Sequence, residues 1–160
     1  MKPLFTNIVV AITGSDASIL AAKYAIVMSK AYHCKLSAVY VVDTATIKQL
    51  QLSKIFVQEE SQEYERSLEI NGERYLSFVE ELAQAKGVKV EKEIRHGAVY
   101  TEILTAADEK NADLIIFGGW EKDRNPRDIF SHASREIMIN SKCSIIYVKE
   151  PNIDQIYRQA

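Results

Sequence analysis

Cysteine is scarce in this chain: 160 residues hold two, Cys34 and Cys143, far apart in sequence. Neither sits in a CxxC pair or a Cys/His ligand spacing, so no disulfide framework or zinc site is expected. Both lie beside apolar runs and read as free, buried thiols. Long hydrophobic runs are also missing. None reaches the ~18–20 apolar residues that a spanning helix needs. The start, Met1 to Asn7, has no long apolar stretch of the kind a secretory leader carries. The cytoplasm is therefore the expected compartment, with no membrane contact. An excess of one charge is absent as well: 20 Lys and Arg stand against 22 Asp and Glu, for a net charge of −2. That balance offers neither the basic surface of a nucleic-acid binder nor a polybasic membrane patch.

What is present is core-forming material. The chain is 47% hydrophobic with six Gly and three Pro, a composition that excludes a disordered or low-complexity chain. Its length suits one domain, which would bury roughly 70% of its unfolded surface.

Four short apolar runs have strand character: 8–12 (IVVAI), 36–42 (LSAVYVV), 114–117 (LIIF) and 144–148 (SIIYV). They are continuous rather than alternating, which suits a parallel sheet covered on both faces. A fifth run, 88–94 (VKVEKEI), alternates apolar with charged residues and reads as an edge strand. Helical spacing fills the gaps. Residues 15–31 open on a Ser-Asp cap. Segment 54–86 carries an apolar stripe through Tyr64, Leu68, Tyr75 and Val79 and stops at Gly87. Two further helices fit 99–110 and 128–140. The stretch 44–57 is left unplaced. The alternation predicts a single-domain α/β fold: a doubly wound, five-stranded parallel sheet, Rossmann-like, with helices on both faces. The domain spans 1–149 and a short polar tail spans 150–160, which Ile156 and Tyr157 would dock.

In such a sheet, ligands bind beyond the carboxyl ends of the strands, where strand order reverses. The loops after the first and fourth strands are the candidates. The first contains Thr13, Gly14 and Ser15 beside Ile12. The second runs from Gly118, Gly119, Trp120 and Glu121 to Arg127. Each leads to a helix N-terminus, where an anion such as phosphate is stabilised. No GxGxxG or GxxxxGK[ST] is present, and Gly14 and Gly118-Gly119 also read as tight turns. Lys122, Arg124 and Arg127 are balanced by Glu121, Asp123 and Asp128 and read as a solvated loop.

Catalysis finds no support. His33 adjoins Cys34, but neighbours in an extended segment point to opposite faces. His96 lies at the rim away from the crevice, and His132 near a helix start is a spacer, a surface residue or a titrating group. No GxSxG or HExxH occurs. No catalytic residue, metal site or cofactor is expected.

The opening NIVVAITGSDAS, YVVD at 40–43, the run from Arg95-His96-Gly97 to EILTAADEKNADLIIFG, and the terminal SIIYVK together resemble the universal stress protein family over about residues 5–149. The resemblance implies the adenine nucleotide alpha hydrolase-like version of the fold. Family members that bind ATP carry Gly-x2-Gly-x9-Gly-Ser/Thr after the fourth strand. Laid from Gly118, that pattern puts Glu121, Ser131 and His132 where the second Gly, third Gly and Ser/Thr belong. Glycines there let backbone approach phosphate, and a carboxylate repels it. Thr13 stands where binders have an acidic residue, while Ile12, Val41 and Phe117 remain compatible with an adenine wall. Trp120 would cap a ligand or, as the favoured reading, plug an empty site. The resemblance thus implies a member that does not bind ATP in the usual manner. The alternative is an ATP- or AMP-binding module with a divergent phosphate loop. A slow nucleotide hydrolase, needing a metal held by Asp16, Glu121, Asp123 and Asp128, is the weakest reading.

The terminal strand lies at an apolar sheet edge that invites pairing. Resembling members pair it across a two-fold axis, which implies a homodimer through Cys143, Ser144, Ile145, Ile146, Tyr147 and Val148. The expected role is a regulatory or protective one in stress response, exerted through protein partners.

Overall fold

The computed structural model describes residues 2–118 and 129–160; residues 119–128 and the side chains of 129–131 lie outside that description. Strands β1 (Asn7–Ile12), β2 (Lys35–Val42), β3 (Val90–His96), β4 (Leu114–Gly118) and β5 (Ser144–Val148) form one sheet, ordered β3-β2-β1-β4-β5. Every pairing is parallel, with Ile8 opposite both Leu36 and Leu114. Winding runs outward from β1 to β3, then returns to β4 on the far side of β1. That reversal is the doubly wound topology that the alternation of strands and helices predicts.

The helices are α1 (Asp16–Tyr32), α2 (Thr44–Leu52), α3 (Gln58–Gln84), α4 (Val99–Glu109), α5 (Ile129–Asn140) and α6 (Ile153–Gln159). No helix among the described residues is long and apolar enough to cross a membrane. The period-2 geometry of β1 sorts its apolar residues between two cores. Ile8, Val10 and Ile12 join α1 and α3 residues such as Ala22 and Leu76 on one face. Val9 and Ala11 meet Ile103 of α4 and Ile137 of α5 on the other. Both faces of the central strands are dry, which is why their sequences are continuously apolar.

Helix ends are set by local chemistry. Ser15 caps α1, accepting from the Ser18 N–H at 3.3 Å. At the end of α3, Gly87 adopts φ +71. The Val88 N–H then reaches Ala83 O at 2.9 Å, and the Gly87 N–H reaches Gln84 O at 3.0 Å. This Schellman closure fulfils the helix-stop reading of Gly87.

Three stretches differ from their sequence reading. Residues 44–57, unplaced by periodicity, contain α2, because Asp43 supplies an N-cap that no apolar spacing announces. The edge strand starts later than expected, at Val90, after the α3 stop has used Val88. Residues 150–160, read as a short tail, carry α6. Ile153 and Tyr157 are buried there, and the Tyr157 hydroxyl donates to Leu82 O at 2.6 Å. Tyr157 docks the segment, whereas Ile156 stays 39% exposed.

The two sheet edges are unlike. Edge strand β3 is laced with charge. Arg95 reaches Glu102 at 3.1 Å and Glu109 at 2.9 Å, and Lys92 pairs with Glu80 at 3.1 Å. Such charges blunt an edge against pairing. Edge strand β5 has no ion pair of its own among the described residues. Its Ile145, Ile146 and Tyr147 are half-buried.

Candidate functional site

Chain leaving β1 is folded into α1 by hydroxyls. Thr13 Oγ1 and Ser15 Oγ lie 2.8 Å apart, and the Ser15 N–H donates to Thr13 Oγ1 at 3.2 Å. The Ser18 hydroxyl donates to Thr13 O at 2.7 Å. Thr13 therefore holds the turn through both its hydroxyl and its carbonyl.

The neighbouring wall comes from the end of β2. Asp43 caps α2 through both oxygens: Oδ1 accepts from the Thr46 N–H at 3.0 Å and Oδ2 from the Thr46 hydroxyl at 2.7 Å. This Asp-x-x-Thr bracket fixes where α2 rises beside the crevice.

Helix α3 closes the side with aromatic rings. Tyr40 and Tyr75 stack at 6.5 Å, and Phe56 meets Tyr64 edge-on at 5.7 Å. The Tyr75 hydroxyl donates to Gly14 O at 3.3 Å, tying α3 to the β1 turn. Gly72 permits this approach, since a Cβ there would sit 2.5 Å from Tyr40 Cδ1. Burial, with lesser contributions from Tyr75 and Tyr64, pushes the Tyr40 phenol above its ordinary pKa, so it stays a neutral donor.

These elements enclose a cavity of about 160 Å³ at the carboxyl ends of β1 and β2. Ile12, Val41, Leu68, Val99 and Ile103 supply its apolar lining, and Thr13, Thr46, Tyr40 and Tyr64 its hydroxyls. Asp43 is the one carboxylate, and no Lys, Arg or His lines the cavity among the described residues. A second cavity, about 240 Å³, shares Asp43, Thr46 and Val99 and adds Tyr100 and His132. There the His132 ring stands edge-on to Tyr100 at 5.8 Å. Helix α4 begins beside it at Ala98 with no side-chain cap.

The structure thus gathers Ile12, Thr13, Gly14 and Val41 around the first cavity and puts His132 at the second. Ser15 acts as the α1 cap. Gly118 faces β5, where a Cβ would lie 3.1 Å from Val148 O, so close packing accounts for it. Gly119, Trp120, Glu121, Lys122, Arg124, Arg127 and the Ser131 side chain lie outside the described residues. Cys143 is a free cysteine just before β5, its sulfur 3.5 Å from Ser141 Oγ.

Other chemical candidates are tied up elsewhere. The Cys34 thiol donates to Phe5 O at 3.3 Å, and burial, then the Asp113 charge, pushes its pKa up, the reverse of an activated nucleophile. His96 pairs with Glu69 at 2.6 Å, outside both cavities. No group of three or more His, Cys, Asp or Glu among the described residues could hold a metal.

Sequence reasoning missed Asp43, Thr46, Tyr64 and Ile103 as lining residues. The signal for the first two was the cap spacing after YVVD. Tyr64 was visible only as a member of an apolar stripe.

The universal stress protein family model matches residues 4–149. The chain is 32% identical over 148 residues to universal stress protein MJ0531 of Methanocaldococcus jannaschii, covering 92% of this chain and 84% of that one. Its fold is similar to that of the protein MJ0577, with TM-score 0.77 and 19% identity over 94% of this chain and 99% of that chain. A universal stress protein from Archaeoglobus fulgidus, solved in complex with dAMP, superimposes with TM-score 0.64 and 16% identity over 92% of this chain and all of that one. With a family model spanning nearly its whole length and a relative above 30% identity, this chain belongs to the universal stress protein family.

Proposed function

We propose that this protein is a non-catalytic regulatory member of its family whose crevice receives an adenine nucleoside or its monophosphate, and not ATP in the family's usual manner. The observation that carries the reading is the lining of the β1–β2 cavity. It offers apolar and aromatic walls, several hydroxyls and one carboxylate, with no cation among the described residues. A planar, weakly polar ring fits such a surface. A triphosphate does not, because each phosphate charge needs a donor or a cation. The N-termini of α1 and α4 point to this end of the sheet and supply partial positive charge for one phosphate. The sequence after Gly118 agrees, with Glu121, Ser131 and His132 in place of a glycine-rich phosphate loop. The A. fulgidus complex with dAMP is a property of that protein, and it lends support here through the shared fold.

Calorimetric titration with adenosine, AMP and magnesium-ATP tests the reading. AMP or adenosine is expected to bind and magnesium-ATP to bind more weakly. Tighter binding of magnesium-ATP would overturn it.

The regulatory output is proposed to pass through a homodimer and its protein partners. Strand β5 has an open backbone edge, with half-buried Ile145 in it and Met138 and Ile139 of the adjoining α5 49% and 67% exposed. Pairing with a second copy would cover all three. Ile145→Lys should shift the protein to monomer in sedimentation; an unchanged dimer, or a wild type that is monomeric, would sink this part.

A further inference from the structure

At the opposite end of the sheet, a groove of about 910 Å³ runs between the end of α1, the start of β2 and the α3–β3 connection. Its lining is basic: Lys30, His33, Lys35, Lys86 and Lys89, against one carboxylate, Glu91. Lys86 is engaged by α6, donating to Arg158 O at 3.2 Å. Lys30, His33, Lys35 and Lys89 are exposed and have no ion-pair partner among the described residues. Four lysines elsewhere are paired: Lys23 with Asp154, Lys92 with Glu80, Lys110 with Glu93 and Lys142 with Asp108.

The local carboxylates do not neutralise the groove. Glu91 is turned to Lys110 at 3.4 Å, and Asp113 accepts from Thr6 and Asn7 through both oxygens. Lys30 lies in the last turn of α1, where it complements the helix dipole. Lys35 and Lys89 follow their helices at a distance and have no such role. A chain of net charge −2 thus gathers an uncompensated positive cluster in one concavity. Ser29, which borders the groove, also keeps a buried hydroxyl with no hydrogen-bond partner.

We infer that this groove docks an acidic, extended segment of a partner protein. A macromolecular occupant fits better than a small anion. The free cations are all solvent-exposed, so each carboxylate gains little alone and only several together, at the scale of a peptide, add up. Exposed like charges in a concavity also steer an acidic partner into place.

The test uses the full-length protein and a synthetic oligo-glutamate peptide, followed by backbone amide NMR at low ionic strength. Chemical-shift changes are expected at Lys30, His33, Lys35 and Lys89. Affinity should fall several-fold at physiological salt. The charge reversal K30E/K35E/K89E should weaken binding roughly tenfold or more, with the triple Gln variant in between. All three positions are exposed, so an unchanged melting curve checks that the variants fold. No shifts, or shifts centred elsewhere, would overturn the inference. Concentration-dependent changes at the same residues without peptide would also overturn it, by identifying a second copy of this chain as the occupant.

Discussion

The two ends of the sheet present opposite chemistry. At the carboxyl ends of the strands, the first cavity is apolar and aromatic with no cation among the described residues, and helix N-termini face it. At the amino ends, helix C-termini face a groove lined by five basic residues. The parallel topology makes this division possible. Every strand runs the same way and every crossover helix runs back, so positive dipole ends gather at one end of the domain and negative ends at the other. Side-chain charge then follows. Lys30 sits where carbonyls end α1, whereas the first cavity is lined by no cation among the described residues. The proposed small-molecule crevice and the proposed docking groove therefore lie at opposite ends of the sheet and need not compete.

The largest effect is expected at the crevice floor. Ile103 is 1% exposed and lies between the cavity and the α4 core. Ile103→Ala should cost about 2–5 kcal/mol in stability, read by denaturant melts. It should weaken AMP binding and leave the acidic-peptide affinity unchanged. A matched loss at both ends would mean that the two sites are not separate.

A smaller effect is expected at Asp43. Removing its cap with Asp43→Ala should cost about 1 kcal/mol and loosen α2 beside the cavity. Amide exchange should quicken across α2 while the groove residues keep their protection. Unchanged exchange in α2 would show that packing on Ile47, not the cap, holds that helix.

The smallest effect lies between the two ends, on β3. Burial disfavours a charged Glu93, but hydrogen bonds and charge from Lys110 and Arg95 outweigh it and hold its carboxyl below its ordinary value of 4.5. A depressed folded-state pKa stabilises above the unfolded value and loses that contribution as pH falls through the folded one. Wild type should therefore shed ~1 kcal/mol or less below about pH 4. Glu93→Gln should be flatter over the same window, as followed by melting temperature against pH. Identical acid slopes would show that Glu93 carries none of this acid sensitivity.

The sheet was legible in the sequence because each central strand is apolar on both faces, and Ser15 and Gly87 punctuate α1 and α3 with ordinary cap chemistry. The crevice was half legible. Ile12, Thr13, Gly14 and Val41 follow from topology alone, since strand ends at a switch point are where ligands sit. Its outer walls were not. Asp43 and Thr46 act through a two-residue bracket that has no period, and Tyr64 looks like any core residue on a helical stripe. The basic groove escaped for a different reason. Lys30, Lys35 and Lys89 are spread over a helix, a strand and a connection, and net charge averages such a cluster away. Only the fold brings them to one concavity.

The most direct test is a backbone amide NMR titration with AMP alone, which asks which end of the sheet takes the nucleotide. Shifts are expected at Thr13, Val41, Asp43 and Thr46, with Lys30, His33, Lys35 and Lys89 silent. Shifts confined to the lysine groove would contradict that expectation, because the monophosphate would then be read by side-chain charge at the amino end and not by the crevice.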